Sequence, residues 1–108
     1  MQVPAEVLDE LVRRLVEAVH PTRIILFGSA ARGEMHEDSD LDVLVVVVVP
    51  DGLPHRETWN LAYRSLNRLG YPKDLLLVSE SVLDQHAADP GLIYAQALLE
   101  GREIYHAA

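Results

Sequence analysis

The chain has 108 residues, of which 49% are apolar, a size and composition that favour a single domain over residues 1–108 with a modest core. Its 17 acidic and nine basic residues give a formal net charge of −8, which excludes a broad nucleic-acid-binding surface because binding to phosphate backbones needs clustered Lys and Arg. The absence of cysteine excludes disulfides and thiolate metal sites.

The sequence predicts a soluble, cytoplasmic domain. The first residues lack a basic segment followed by a continuous apolar stretch, so no signal peptide is expected. The longest apolar run extends from Leu41 to Val49, is interrupted by Asp42, and is too short to span a bilayer.

Helical and strand patterns alternate along the chain. In chain order, we predict a helix over 4–19, a strand over 23–27, one or two helical turns over 29–33, a strand over 40–49, a helix over 54–69, a strand over 74–78, a short helix over 79–88, a helix from 89 to about 100 and a short edge strand over 102–105. This order predicts an α/β (α+β) fold, with a mixed sheet of at least three strands flanked by helices.

The strand over 40–49 is predicted to be central in the sheet. Its five consecutive valines, Val45 to Val49, favour a strand over a helix. Because polar residues do not alternate with the valines, we expect this strand to be buried on both faces. Pro50, Asp51 and Gly52 supply strong turn signals after it.

Gly28 and Ser29 join the first predicted strand to the helical turns that follow. Such a turn leaves backbone N–H groups free to bind an anion, and glycine allows a phosphate to approach the backbone closely. The Ser29 hydroxyl can donate to a phosphate oxygen, and Arg32 lies one turn further on. On this dipeptide alone, a plain turn with Ser29 as N-cap and a solvated Arg32 remains an alternative.

Asp40 and Asp42 begin the central strand, and ten residues separate Asp40 from Ser29. Residues i and i+2 of a strand face the same side, about 7 Å apart from two strand rises. Carboxylates at that spacing can share two hard cations held roughly 3.5–4 Å apart. The alternative is that both aspartates lie in a loop and the strand begins only at Val43.

Asp74 is the candidate for a third carboxylate. A two-metal phosphoryl or nucleotidyl transfer site commonly uses another carboxylate, either to complete the metal shell or to help deprotonate the attacking hydroxyl. Asp74 begins a short apolar strand that would neighbour the central one. Its alternative reading is an ordinary acidic residue flanking a strand, beside Lys73.

Together these motifs resemble the minimal nucleotidyltransferase group of the DNA polymerase β-like nucleotidyltransferase superfamily. The resemblance rests on the segments 26–33 (LFGSAARG), 39–45 (SDLDVLV), 74–78 (DLLLV) and 99–105 (LEGREIY), and it covers most of the chain from Arg23 onward. It implies a nucleotidyltransferase fold that uses Mg²⁺ and a nucleoside triphosphate, with ATP as the expected substrate.

The resemblance also implies roles for individual residues. Mg²⁺ would be bound by Asp40 and Asp42, and Asp74 would be the third catalytic and metal-binding carboxylate. Gly28 and Ser29 would hold triphosphate oxygens. The implied reaction is attack of an acceptor hydroxyl on the α-phosphate, with pyrophosphate as the leaving group.

The acceptor is expected to come from a partner protein, because about 108 residues leave little chain for an acceptor-binding domain. Proteins of the group that this chain resembles are often paired, as antitoxins, with a small helical toxin of the HEPN type, onto whose tyrosine they can transfer AMP. The leading hypothesis is therefore such an antitoxin. The alternatives are a non-catalytic module that neutralises its partner by contact, and a nucleotidyltransferase acting on a small molecule.

Overall fold

A computed structural model describes residues 3–33, 40–48, 56–86, 89 and 93–107. It contains five helices and four strands in these ranges. In chain order they are α1 (Ala5–Val19), β1 (Arg23–Phe27), α2 (Gly28–Ala31), β2 (Leu41–Val47), α3 (Arg56–Ser65), β3 (Lys73–Ser79), α4 (Glu80–His86), α5 (Ile93–Glu100) and β4 (Arg102–His106). The predicted order of helices and strands, including the last short edge strand, is confirmed.

The four strands form one mixed sheet in the order β3-β2-β1-β4. β1 runs antiparallel to both β2 and β4, whereas β2 and β3 are parallel. Because β1 ends where β2 and β3 begin, the end of β1 and the starts of β2 and β3 meet at one edge of the sheet. The turn that follows β1 therefore lies beside the first residues of β2.

β2 has neighbours on both sides, as predicted for the central strand. All of its residues are buried except Asp42, which is half-buried. β-branched side chains suit this environment because they pack well on a pleated surface covered from both sides. The alternating residues of β2 divide between two hydrophobic cores, one on each face of the sheet.

The helices cover the two faces in pairs. Leu11 and Leu15 of α1, with Ala62 of α3, pack in the core that contains Val43 and Val45. Leu83 of α4 and Ala97 of α5 pack in the other core, which contains Leu44 and Val46. The protein is thus a three-layer arrangement in which the valine-rich strand contributes to both cores.

The predicted bounds of β2 and of α3 are wrong by a few residues. β2 begins at Leu41, so Asp40 precedes the strand, and Val48 follows it. The helix predicted to reach residue 69 ends at Ser65, because the N–H groups of Leu66 and Asn67 bond to carbonyls only three residues earlier. This tightened turn leads to a left-handed backbone at Arg68, which ends the helix before Gly70.

Several sequence predictions concern residues outside the described ranges. They are the loop at 34–39, the turn at 50–52, the start of the helix predicted from residue 54, and the first turn of the helix predicted from Asp89. Among the described residues, none belongs to a helix that is long and apolar enough to cross a membrane.

We predict that Gly101→Ala destabilises the protein, because Gly101 joins α5 to β4 where there is no room for a methyl group. A Cβ at this position would overlap the carbonyl oxygen of Ala97 and would lie 2.6 Å from Cγ2 of Ile25 on β1. The expected loss is about 1–3 kcal/mol, measured by urea unfolding. Leu99→Ala is the matched control: its side chain is 86% exposed, so the change should stay within about 0.5 kcal/mol.

Candidate active site

Gly28 begins α2 at the point where β1 ends, directly beside the first residues of β2. Its φ angle is +68°, a left-handed conformation that side chains other than glycine rarely adopt. A Cβ at Gly28 would overlap Oδ2 of Asp42 and would lie 3.2 Å from its Cγ. Glycine is therefore required here for two reasons: the backbone conformation, and the close approach of the Asp42 carboxylate.

Asp42 lies between two strands that fix its position. In the antiparallel pairing it is opposite Phe27, the last residue of β1, and in the parallel pairing it is opposite Asp74 on β3. Directly paired residues of neighbouring strands lie roughly 4.8 Å apart in backbone position. The side chains of Asp42 and Asp74 share one face of the sheet, the face packed by α4 and α5, because they alternate with the residues of the other core.

Asp40 precedes β2 and is exposed, whereas Asp42 is half-buried and Asp74 is exposed. The prediction that Asp40 and Asp42 are both strand residues is therefore wrong for Asp40, since the ladder of β2 begins one residue later. The third predicted carboxylate, Asp74, is the direct pairing partner of Asp42. The register of the sheet thus brings the two motifs, which are 32 residues apart in the printed sequence, to one edge.

The electrostatic environment of Asp42 reflects this crowding. Burial, followed by the negative charges of Asp74 and Asp40, raises the pKa of the Asp42 carboxyl above its ordinary value, while the positive charge of Arg32 lowers it. Asp40, Asp74 and Arg32 are therefore each close enough to influence the charge of Asp42. An arrangement that makes a carboxylate harder to ionise favours a bound cation, which would relieve the repulsion.

Ser29 and Arg32 lie on α2, next to the carboxylates. Ser29 is the second residue of this short helix and is half-buried, and Arg32 forms its C-cap. The Arg32 guanidinium is directed toward α5, where Nη1 lies 3.8 Å from Oε2 of Glu100. The predicted anion-binding residues are therefore all on the element that borders Asp42.

The chemistry of the donor set fits Mg²⁺, which prefers hard oxygen ligands and is commonly bound through one or two carboxylates. Asp42 and Asp74 are paired on adjacent strands, and Asp40 supplies a third carboxylate nearby. In the described part of the chain, no three histidine, cysteine, aspartate or glutamate side chains converge closely enough to hold a metal ion by themselves. A Mg²⁺ ion shared by these carboxylates would also be coordinated by oxygens of a bound phosphate group, as is common where Mg²⁺ binds phosphates.

Two contacts around the site were not predicted from the sequence. Tyr63 on α3 accepts a hydrogen bond from the Leu75 backbone N–H at 3.1 Å, so its phenol covers the outer edge of β3 beside Asp74. The Tyr63 ring also stacks on Trp59 of the same helix, with centroids 6.1 Å apart. Helical spacing indicated the face of α3 on which Tyr63 lies, but no pattern indicates which backbone group its hydroxyl contacts. The ion pair of Glu100 with Arg32 likewise joins residues with no sequence signal between them.

We predict that Gly28→Ala destabilises the protein more than Gly70→Ala does. Both glycines have positive φ angles, so each alanine should cost about 1–2 kcal/mol of backbone strain. At Gly70 nothing lies within 4 Å of an added Cβ, whereas at Gly28 the methyl group must also displace the Asp42 carboxylate. Urea unfolding of the two variants should show an additional loss for Gly28→Ala of about 1–3 kcal/mol. Equal losses would contradict the close approach of Asp42 to Gly28.

We also predict that Asp42→Asn raises thermal stability at pH 7. Since the pKa of Asp42 is raised in the folded protein, ionisation of this group opposes folding at every pH above its ordinary value of 3.8. Asparagine removes that charge. The gain over the unsubstituted protein should shrink as the pH falls through the pKa of Asp42, because its carboxyl then becomes neutral as well.

The measurement is the midpoint of thermal unfolding from pH 3 to pH 8 without added divalent cation. Asp84→Asn, an exposed aspartate on α4, is the control and should leave the midpoint unchanged. A lower midpoint for Asp42→Asn at pH 7 would contradict the assigned electrostatic environment.

Comparisons with solved structures give the same fold. A chain from a crystal structure of a toxin–antitoxin with AMP-PNP matches with a TM-score of 0.68 at 23% identity, over 93% of this chain and 73% of that one. A chain from a mutant MntA–HpeT toxin–antitoxin matches with a TM-score of 0.57 at 25% identity, over 98% and 75%. A chain from a complex of the tri-AMPylated Shewanella oneidensis HEPN toxin with its MNT antitoxin matches with a TM-score of 0.60 at 19% identity, over 95% and 72%.

A comparison with curated proteins found none that matches this sequence. The family comparison gives a direct result: the nucleotidyltransferase domain family matches residues 7–96, which include most of α1, every element from β1 to α4 and all six residues of the candidate site. The nucleotidyltransferase fold that the resemblance implied from the sequence is thereby confirmed. The chain belongs to the nucleotidyltransferase domain family.

Proposed function

We propose that this protein is a Mg²⁺-dependent nucleotidyltransferase that moves AMP from ATP onto a hydroxyl of a partner protein. Family membership supports the transfer of a nucleotidyl group. The observation that carries the proposal is the register of the sheet, which pairs Asp42 with Asp74 and brings the Gly28 turn against the Asp42 carboxylate. The turn that would bind phosphate therefore lies next to the carboxylates that would hold the metal ion.

In this proposal, Gly28 and Ser29 bind the phosphate oxygens of ATP. Gly28 gives the turn its left-handed backbone, and Ser29 contributes its hydroxyl and backbone N–H at the start of α2. Arg32, one turn further along, adds a positive charge near the same phosphates. The local positive groups allow an otherwise acidic protein to bind a triphosphate.

Asp40, Asp42 and Asp74 would hold Mg²⁺. When bound, Mg²⁺ neutralises charge on the phosphates and stabilises the charge that develops as the phosphoryl group is transferred. The half-buried Asp42 would be the most firmly held ligand, because the neighbouring strands fix its backbone on both sides. Asp40 and Asp74 are exposed and can adjust to the ion and the substrate.

Asp74 is also the proposed general base, since it is exposed and therefore accessible to a hydroxyl brought in by another molecule. The oxygen of the acceptor hydroxyl forms a bond to the α-phosphorus of ATP, and its proton passes to the Asp74 carboxylate. The bond between the α-phosphorus and the oxygen that bridges to the β-phosphate breaks. Pyrophosphate leaves, and the acceptor carries AMP as a phosphodiester.

The proposed acceptor is a tyrosine of a small helical HEPN-type toxin, for which this protein would be the antitoxin. Two observations on similar structures support this choice: one was crystallised with AMP-PNP, and another contains a tri-AMPylated HEPN toxin together with its MNT antitoxin. The exposure of Asp40 and Asp74 leaves their carboxylates accessible to a side chain of a second protein.

The test is incubation of the protein with ATP labelled at the α-phosphate, Mg²⁺ and the protein encoded by the neighbouring gene. We expect label on that neighbour, resistant to denaturation, and none when EDTA replaces Mg²⁺. Asp40→Asn and Asp42→Asn should each retain the fold and lower the rate at least a hundredfold, because each removes a charged metal ligand.

Asp84→Asn is the matched control, an exposed aspartate on α4 outside the site, and should transfer at the rate of the unsubstituted protein. Full activity of Asp42→Asn would contradict the assigned site. A stable complex with the neighbour that never carries label would contradict transfer and favour neutralisation by contact.

A further inference from the structure

Glu100, the last residue of α5, lies next to Arg32 although the two residues are far apart in the chain. Nη1 of Arg32 is 3.8 Å from Oε2 of Glu100, and the two side chains are 45% and 44% exposed. A pair this exposed contributes little to the stability of the fold, because water and salt screen it. The main effect of this ion pair is therefore on the position of the Arg32 guanidinium.

The backbone next to Glu100 packs closely against the sheet. The next residue, Gly101, donates its N–H to the Ala97 carbonyl at 2.8 Å and is packed so closely against Ile25 of β1 that no Cβ fits. The end of α5 thus packs directly on β1, the strand that leads into the Gly28 turn. Nε2 of Gln96, one helical turn earlier, lies 3.5 Å from Oε2 of Glu100 and restrains its side chain further.

Arg32 faces two acidic groups of different kinds. It pairs with Glu100 on one side, and on the other its charge lowers the pKa of Asp42, so it lies within electrostatic reach of the carboxylate site. A long arginine side chain has many rotamers. The contact with Glu100 is one of the interactions that restrict them, and it directs the guanidinium toward the end of α5.

We propose that Glu100 is a positioning residue, which holds the Arg32 guanidinium at the entrance of the site and thereby sets the affinity for the triphosphate. This inference rests on the proposed function, since it requires Arg32 to bind phosphate oxygens. An arginine that is already oriented loses less conformational freedom when the nucleotide binds, so the nucleotide binds more tightly. We expect the effect on nucleotide binding and not on the chemical step, because Glu100 contacts Arg32 and is not one of the three carboxylates proposed to act in the transfer.

The test is Glu100→Ala, with two readouts. The first is the Kd for ATP with Mg²⁺, measured by calorimetry without any acceptor, and the second is kcat and KM for transfer to the acceptor. We expect Kd and KM for ATP to rise about two- to fivefold, the range that corresponds to an exposed ion pair, while kcat stays within about twofold. Glu100→Gln, which keeps an oxygen but loses the charge, should give a smaller increase.

A double-mutant cycle with Arg32→Ala tests whether Glu100 acts through Arg32. Arg32→Ala should weaken ATP binding more than Glu100→Ala does, and adding Glu100→Ala to it should change Kd no further. Glu103→Ala is the matched control, because Glu103 forms a different ion pair with Arg23 at 2.7 Å, across β1 and β4. This variant should bind ATP with unchanged Kd.

The outcomes separate this inference from the proposed function. An unchanged or lower Kd in Glu100→Ala, or an equal weakening by Glu100→Ala with and without Arg32, would overturn the positioning role while leaving nucleotidyl transfer intact. If the unsubstituted protein failed to bind ATP with Mg²⁺, both would be overturned. Tighter binding in Glu100→Ala would mean that its charge repels the triphosphate and does not act through Arg32.

Discussion

The structure depends on the pairing of β2 between β1 and β3. Burial of its valines on both faces holds this strand in one register, because a slip by one residue would exchange the side chains of the two cores. The same register fixes Asp42 opposite both Phe27 and Asp74. The hydrophobic packing of the middle of β2 therefore determines the geometry of the polar edge at which the strand begins.

The polar groups at that edge lower the stability of the folded protein, and the burial of apolar side chains in the rest of the sheet compensates for this loss. Asp42 is half-buried among like charges, and Gly28 adopts a left-handed conformation against its carboxylate. Such local violations of propensity and charge are expected at functional sites and must be stabilised elsewhere. In this protein the stabilisation comes from a strand whose other residues are all buried. The mixed topology also matters: because β1 is antiparallel to β2, the turn after β1 meets the start of β2, so the carboxylates and the Gly28 turn lie at the same end of the sheet.

Helices outside the motifs complete the neighbourhood of the site. Tyr63 of α3 covers the free edge of β3 next to Asp74, and Glu100 of α5 holds Arg32. Both contacts involve side chains that approach from different layers of the fold. Asp40 and Asp74 remain exposed beside these contacts.

The sequence by itself determined the elements and the chemistry of the candidate residues. Periodicity and β-branched runs specify local structure, so the order of strands and helices and the central position of β2 were predictable. The motif from Gly28 to Asp42 lies in one short segment, so it can be recognised from the sequence without knowledge of the fold. Only the tertiary structure decided that Asp74 pairs with Asp42, that Asp40 lies outside the strand, and that Tyr63 and Glu100 border the site. The physical reason is that strand register and contacts between layers depend on how distant apolar surfaces fit together, which no local pattern encodes.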